Sequence, residues 1–177
     1  MKVAESKRLL LRRLEARDAA FILELLNEPS WLQFIGDKGV ATLQSAERYI
    51  ENGPVAMYRR LGFGLYLVEL KGVAAPIGIC GLIKRDALDD VDLGFALLSR
   101  FWGKGYAFEA ASAVMSYAGV ELGLSRIVAI VSQDNHPSAK LLEKLGFRFE
   151  RPLRLQADGE ALKLYSASIG ATGRPGR

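Results

Sequence analysis

The run Ser99-Arg100-Phe101-Trp102-Gly103-Lys104-Gly105-Tyr106-Ala107 carries the residue types from which an anion site is made. Gly103 and Gly105 flank Lys104, and Arg100 stands just upstream. Glycine lets a ligand approach the backbone without meeting a Cβ. The apolar run from Val91 to Leu98 leads into this turn and reads as a strand. The alanine-rich run from Gly103 to Gly123 leads out of it and reads as an amphipathic helix. Such a turn offers an anion the unpaired N–H groups of a helix N-terminus, with the helix dipole behind them. The chemistry it suits is a grip on a cofactor pyrophosphate. The predicted binding residues are Leu97, Leu98, Arg100, Phe101, Trp102, Gly103, Lys104, Gly105 and Tyr106. No G-x-x-x-x-G-K-[ST] run is present, so the turn is not a Walker loop. Phe108 stands where a dinucleotide fingerprint begun at Gly103 needs Gly or Ala.

The elements that must position this turn follow from pattern and punctuation. Arg8 to Leu14 reads as a first strand, and Asp18 as the cap of a helix that Pro29 ends. A loop from Trp31 to Gly39 follows, then a second helix from Thr42 carrying Leu43, Ala46, Tyr49 and Ile50. Trp31 and Phe34 either line an acceptor pocket or pin the loop to the core. Phe63 to Leu70 and Ile77 to Ile83 read as a hairpin about Lys71 to Pro76, and Cys80 inside it as a small buried residue. In the fourth strand, Val91, Leu93, Phe95 and Leu97 share one face, and Asp92, Gly94, Ala96 and Leu98 the other. Arg126 to Ser132 is a continuous apolar run, as expected of a central strand covered on both faces. Asn135 to Phe147 reads as a short helix with Pro137 in its first turn and Gly146 just past its end. Arg148 to Gln156 and Ala161 to Ser168 form the last hairpin, turned by Asp158-Gly159. Residues 1–169 are expected to make one domain, and 170–177 a disordered tail.

Composition excludes several classes. The chain has 177 residues, half of them hydrophobic and a quarter charged, as in an ordinary globular domain. No apolar run reaches the ~20 residues that a membrane helix needs. A single cysteine forbids an internal disulfide and fits a reducing cytoplasm, and with a single histidine it argues against a His/Cys metal cage. The net charge of +4 is mild, with no dense basic block interleaved with aromatics, so nucleic acid is not indicated.

Two motifs then point the same way. Arg100-x-x-Gly103-x-Gly105 resembles the acyl-CoA-binding signature of the GNAT N-acetyltransferases, and Asn135 to Phe147 resembles that family's pattern ending in Gly-Phe. The runs Trp102 to Ala110 and Leu141 to Phe147 look most like its RimJ/RimL-like branch. The resemblance spans about Arg8 to Ser168 and implies an α/β (α+β) GNAT fold. That fold has a mixed, twisted sheet of about seven strands, splayed between the fourth and fifth and flanked by about four helices. The pantetheine arm lies in the splay.

The reaction implied is direct transfer of acetyl from acetyl-CoA to a primary amine, on a protein N-terminus or a small molecule, with no metal. The amine must lose a proton, because its pKa lies near ~8 or ~10.4. The oxyanion needs a donor, which the resemblance puts on a backbone N–H near Leu97, and the departing thiolate needs a proton. Many members use a Tyr four residues before the Gly of the Gly-Phe pair as that acid; here the position is Leu142. The resemblance then implies Ser138 as the group on the sulfur and Asn135 on the pantetheine amides, and both also suit helix capping. For the base, Asp92 matches a position where members often carry an acid; Glu160, Asp158 and His136 are rivals. A non-catalytic acyl-CoA-binding module and a nucleotide-binding protein are the competing readings. Monomer and homodimer are both compatible with the sequence.

Overall fold

A computed structural model describes residues 1–170. Eight strands form one mixed sheet: β1 (Lys2–Glu5), β2 (Leu9–Arg13), β3 (Leu65–Leu70), β4 (Ala75–Ile83), β5 (Asp92–Leu97), β6 (Arg126–Ser132), β7 (Arg148–Leu153) and β8 (Leu162–Ser168). Their order is β1-β2-β3-β4-β5-β6-β8-β7. Among the described residues only β5 and β6 pair in parallel, and they are joined through α5 (Tyr106–Val120). The other α-helices among the described residues are α1 (Ala19–Leu26), α2 (Pro29–Phe34), α3 (Leu43–Ile50), α4 (Ala56–Leu61) and α6 (His136–Lys144). None of them is long and apolar enough to cross a membrane.

The alternation read along the fourth predicted strand sets the layers. Leu93 and Leu97 pack in one cluster with Ala110, Ala111, Val114 and Ala118 of α5. Leu98, just past the end of β5, joins the opposite cluster with Ile22, Leu25 and Leu26 of α1 and Ala46 and Ile50 of α3. The small side chains of α5 bring its axis close to the sheet, which fixes where its N-terminus points.

Two local expectations change, and two elements appear that the sequence pattern did not announce. β1 is an added edge strand, paired antiparallel to β2, in a charged N-terminal stretch with little apolar pattern. Pro29 does not merely end α1; it occupies the first turn of α2, where its missing N–H is no loss. Ala56–Leu61 is helical, entered through a π-type turn at Glu51–Val55 around Pro54 and closed by Gly62 at φ +79°. Asp18 does not cap α1. Its carboxylate takes a bidentate pair from Arg12, at 2.8 and 2.9 Å, and the Glu15 N–H at 2.8 Å. Arg12 also donates to Glu69 at 2.7 Å, so this buried network ties β2 and β3 to the start of α1. The predicted tail lies, but for Gly170, outside the described residues.

Candidate active site

The splay is visible in the register. β5 and β6 pair at one position, Asp92 with Val128, sealed by the Val128 N–H on the Val91 carbonyl at 2.9 Å. Beyond it the strands diverge and a cavity of about 700 Å³ opens between them. Strand geometry decides which groups face it. The Leu98 N–H donates to Ile77 of β4 at 2.9 Å. In an antiparallel ladder the bonding direction alternates, so Leu98, Ala96 and Gly94 bond to β4, whereas Phe95 and Leu97 turn their N–H groups toward the splay. The Leu97 carbonyl is taken by the Trp102 indole N–H at 3.0 Å.

At the wide end of the cavity stands the N-terminus of α5. Gly103 and Gly105 have φ of +74° and +80°, a left-handed conformation natural to glycine, and Gly105 is the helix N-cap. Among the described residues no side chain caps the helix, so the N–H groups of Tyr106, Ala107 and Phe108 stand free there, whereas Glu109 bonds back to Gly105. Arg8 braces this end from β2's approach. It donates to Glu109 at 2.7 Å and to the Lys104 carbonyl at 3.0 Å, and it lies over the Tyr106 ring. The Glu109 carboxyl is held below its usual range by Ser6 and by the Arg8 amide and side chain, against a desolvation that works the other way.

Of the predicted binding residues, Leu97, Phe101, Trp102, Gly103, Gly105, Tyr106, Asn135 and Ser138 line the cavity. Leu98 does not: it is fully buried in the opposite cluster. Arg100 turns away and pairs with Glu24 of α1 at 2.6 Å, and Lys104 faces solvent. The Asn135 oxygen accepts the Ser138 N–H at 3.3 Å, which is the capping role, and leaves the Asn135 amide NH₂ and the Ser138 hydroxyl uncommitted among the described residues. Leu142, in the place of the usual Tyr, is fully buried against the cavity wall.

Asp92 sits at the closed end of the splay, 1% exposed. Its Oδ2 accepts from Arg85 Nε at 2.9 Å, while its Oδ1 has no hydrogen-bond partner among the described residues. Burial pushes its carboxyl up to about 6, with Arg85 and the backbone N–H of Ile130 pulling the other way. The rivals fare differently: His136, Asp158 and Glu160 are exposed and do not line the cavity.

Sequence reading passed over Lys38, Tyr49, Arg85 and Ser132, all of which line the cavity. Lys38 and Tyr49 arrive from the loop and helix after α2, and Arg85 from the turn before β5. No spacing links them along the chain. Ser132 ends the apolar run of β6; its Oγ is buried without a partner. Trp31 proves to do both things expected of it, lining the cavity while its indole N–H pins the loop at the Gly36 carbonyl, 3.1 Å away.

Residues 8–148 match the acetyltransferase (GNAT) domain model. The chain belongs to the GNAT acetyltransferase family. It is 30% identical over 155 residues to the uncharacterized N-acetyltransferase YoaA of Bacillus subtilis, covering 86% of each. A solved acetyltransferase of Agrobacterium tumefaciens superposes with a TM-score of 0.79 at 28% identity, covering 94% of both chains. RimL, the ribosomal L7/L12 alpha-N-protein acetyltransferase solved in complex with coenzyme A, shares the fold at a TM-score of 0.82 and 19% identity, over 97% of this chain and 99% of that one. The GNAT family and fold expected from the two motifs stand with these neighbours.

Proposed function

We propose that this GNAT protein is an N-acetyltransferase that moves acetyl from acetyl-CoA to a primary amine, with Asp92 as the proton acceptor. The observation that carries the reading is the splay itself. Parallel strands held at one register position open directly beneath an uncapped helix N-terminus. A pyrophosphate fits the free N–H groups of Tyr106, Ala107 and Phe108, and an extended amide-bearing arm fits the Phe95 and Leu97 N–H groups that face the gap.

Acetyl-CoA supplies an activated acyl group on sulfur. The residues then divide the work. Asp92 and Leu97 are five strand positions apart, ~16 Å at ~3.3 Å per residue, so they cannot serve one carbonyl. The Leu97 N–H belongs to the arm, and the Phe95 N–H, nearer the closed end, is the donor placed for the acetyl oxygen. The Asp92 carboxylate, whose Oδ1 is buried without a hydrogen-bond partner among the described residues, accepts a proton from the amine, directly or through water, as the amine nitrogen bonds to the acetyl carbon. The carbon–sulfur bond breaks and the sulfur takes a proton from water, with the Ser138 hydroxyl as hydrogen-bond donor to the departing thiolate. Asp92 gives this site a base, which a mere acyl-CoA-binding module has no need of.

Thermal unfolding with acetyl-CoA, CoA, ATP and NAD tests the cofactor without knowledge of the acceptor. A ligand at ~100 times Kd adds about 2.7 kcal/mol, roughly 5–10 °C for a domain of this size. Acetyl-CoA and CoA should shift the transition, and ATP and NAD should not. Ala107→Glu puts a carboxylate on the helix N-terminus, which the dipole tolerates, and should abolish the shift. No shift with either thioester or thiol, or an equal one with ATP, would remove the reading.

A further inference from the structure

The closed end of the cavity carries an excess of positive charge that acetyl-CoA does not explain. Lys38, Tyr49, Arg85 and Asp92 converge there, from the loop after α2, from α3, from the turn after β4 and from the start of β5. Asp92 is the only carboxylate among the described residues that line the cavity. It engages Arg85 through Nε alone, leaving both Nη groups of the guanidinium without a partner among the described residues. Lys38 likewise has no ion pair or hydrogen bond among them. The two cations feel each other: desolvation lowers the Lys38 ammonium pKa, and the charge of Arg85 lowers it further. The same Arg85 charge reaches the Tyr49 phenol, whose pKa burial raises.

A bare ammonium entering this end meets two like charges and one carboxylate already engaged. A zwitterion meets a match for each of its ends. Guanidinium forks and ammonium groups hold carboxylates by charge-assisted hydrogen bonds, and the free Nη pair of Arg85 lies beside the carboxylate meant for the amine. We propose that the acceptor carries a carboxylate a few bonds from the reacting nitrogen, held by Lys38 and Arg85 while that nitrogen faces Asp92. Tyr49 lends its hydroxyl to the same group. This rests on the acetyltransferase reading above and narrows its substrate. A free amino acid presents such a group, and so does a peptide whose first residue is Asp or Glu.

The test follows release of the CoA thiol from acetyl-CoA with matched acceptors. Amino acids are compared with their carboxamides, and Asp- or Glu-first peptides with Asn- or Gln-first ones. A carboxylate acceptor should exceed its neutral counterpart by ~10-fold or more in kcat/KM, a margin typical of charge-assisted contacts. In Lys38→Met most of that preference, read as the carboxylate-to-neutral ratio of kcat/KM, should vanish, and the loss should appear as a raised KM for the carboxylate acceptor. Comparing the ratio between parent and variant cancels differences in amine basicity. Whichever arm shows the preference, free amino acid or peptide, identifies the source of the carboxylate. Neutral counterparts acetylated as well as carboxylates, a preference untouched in Lys38→Met, or no carboxylate acceptor turned over by a protein that acetyl-CoA still stabilises would each overturn the proposal and leave the acetyltransferase reading standing. A protein that acetyl-CoA fails to stabilise would withdraw both.

Discussion

A buried polar atom without a partner costs stability unless something arrives to satisfy it, and among the described residues Asp92 Oδ1 and Ser132 Oγ are two such atoms, on the two strands that line the cavity. Each yields a prediction whose sign separates a site from a defect. For Asp92, a folded-state pKa of about 6 means that the carboxylate accepts a proton only above that value. In the parent, kcat/KM should therefore bend downward as pH falls through about 6, a limb added to that of the amine's own protonation. Asp92→Asn keeps an oxygen for Arg85, so the fold should survive, but the limb near 6 should disappear and kcat should drop by ~10²–10⁴. An unchanged profile in the variant would return the base to water. For Ser132, removal of an unsatisfied hydroxyl should leave the unfolding temperature equal or raised. Loss of a hydrogen bond to the bound arm should weaken acetyl-CoA by up to ~10-fold, in line with ~0.5–1.5 kcal/mol per bond. Calorimetric titration of Ser132→Ala beside its melting curve checks both; a less stable protein with unaltered affinity would make the serine structural.

Elements hold these residues in place through close backbone approaches that side chains would forbid. Gly78 of β4 lies opposite Leu97, and a Cβ there would come within 2.3 Å of the Ala96 carbonyl and 2.8 Å of the Leu97 Cα. Both are backbone atoms of β5 at the mouth of the splay, so Gly78→Ala must push that strand. It should cost ~1–3 kcal/mol in unfolding free energy and weaken acetyl-CoA with it. At Gly94 of β5 itself the nearest atom is the tip of Ile83, 3.2 Å away, which can rotate aside. Gly94→Ala should cost less than ~1 kcal/mol, and denaturant titration of the pair decides whether the splay is set by β4. Elements also mark how far the sequence could be read. The turn at Gly103-Lys104-Gly105 and the helix before Gly146-Phe147 were legible because each is local: spacing, cap and glycine lie within one short run. Pro29 misled because its fixed φ serves a helix start as well as a stop. Helix α4 follows Gly53 and Pro54, residue types that ordinarily interrupt a helix, and the chain absorbs them in a π-type turn. Arg100 belonged to a matching motif, yet its guanidinium is spent on Glu24, a partner 76 positions away that no local pattern announces. The charged end of the cavity was illegible for the same reason, since Lys38, Tyr49, Arg85 and Asp92 meet only after the sheet has formed.

At the scale of the whole molecule the sheet is two blocks, β1 to β5 and β6-β8-β7, hydrogen-bonded to each other at one register position and bridged by α5. Within each block the ladders run antiparallel over several residues, so their amides are held whether or not a ligand is present. Between the blocks the situation differs. The Phe95 and Leu97 N–H groups, and the Ile130 to Ser132 wall that faces them, look into the cavity. On the proposed function, a ligand arm lying in the gap would supply the strand that the sheet lacks there and would close the gap in free energy as well as in space. Amide hydrogen exchange should register this unevenly. With saturating CoA, Phe95, Leu97 and the N–H groups of Tyr106, Ala107 and Phe108 should slow markedly. β2 and β3, far from the gap, should change only as much as the overall gain in stability requires. Protection confined to residues 106–108 would mean that the helix terminus holds a phosphate group while the splay stays empty. Protection spread evenly over all eight strands would mean that binding stabilises the fold without threading it. Slowing at both the helix terminus and β5, with β2 and β3 as the internal reference, is the pattern that a pantetheine arm inserted between the two blocks must produce.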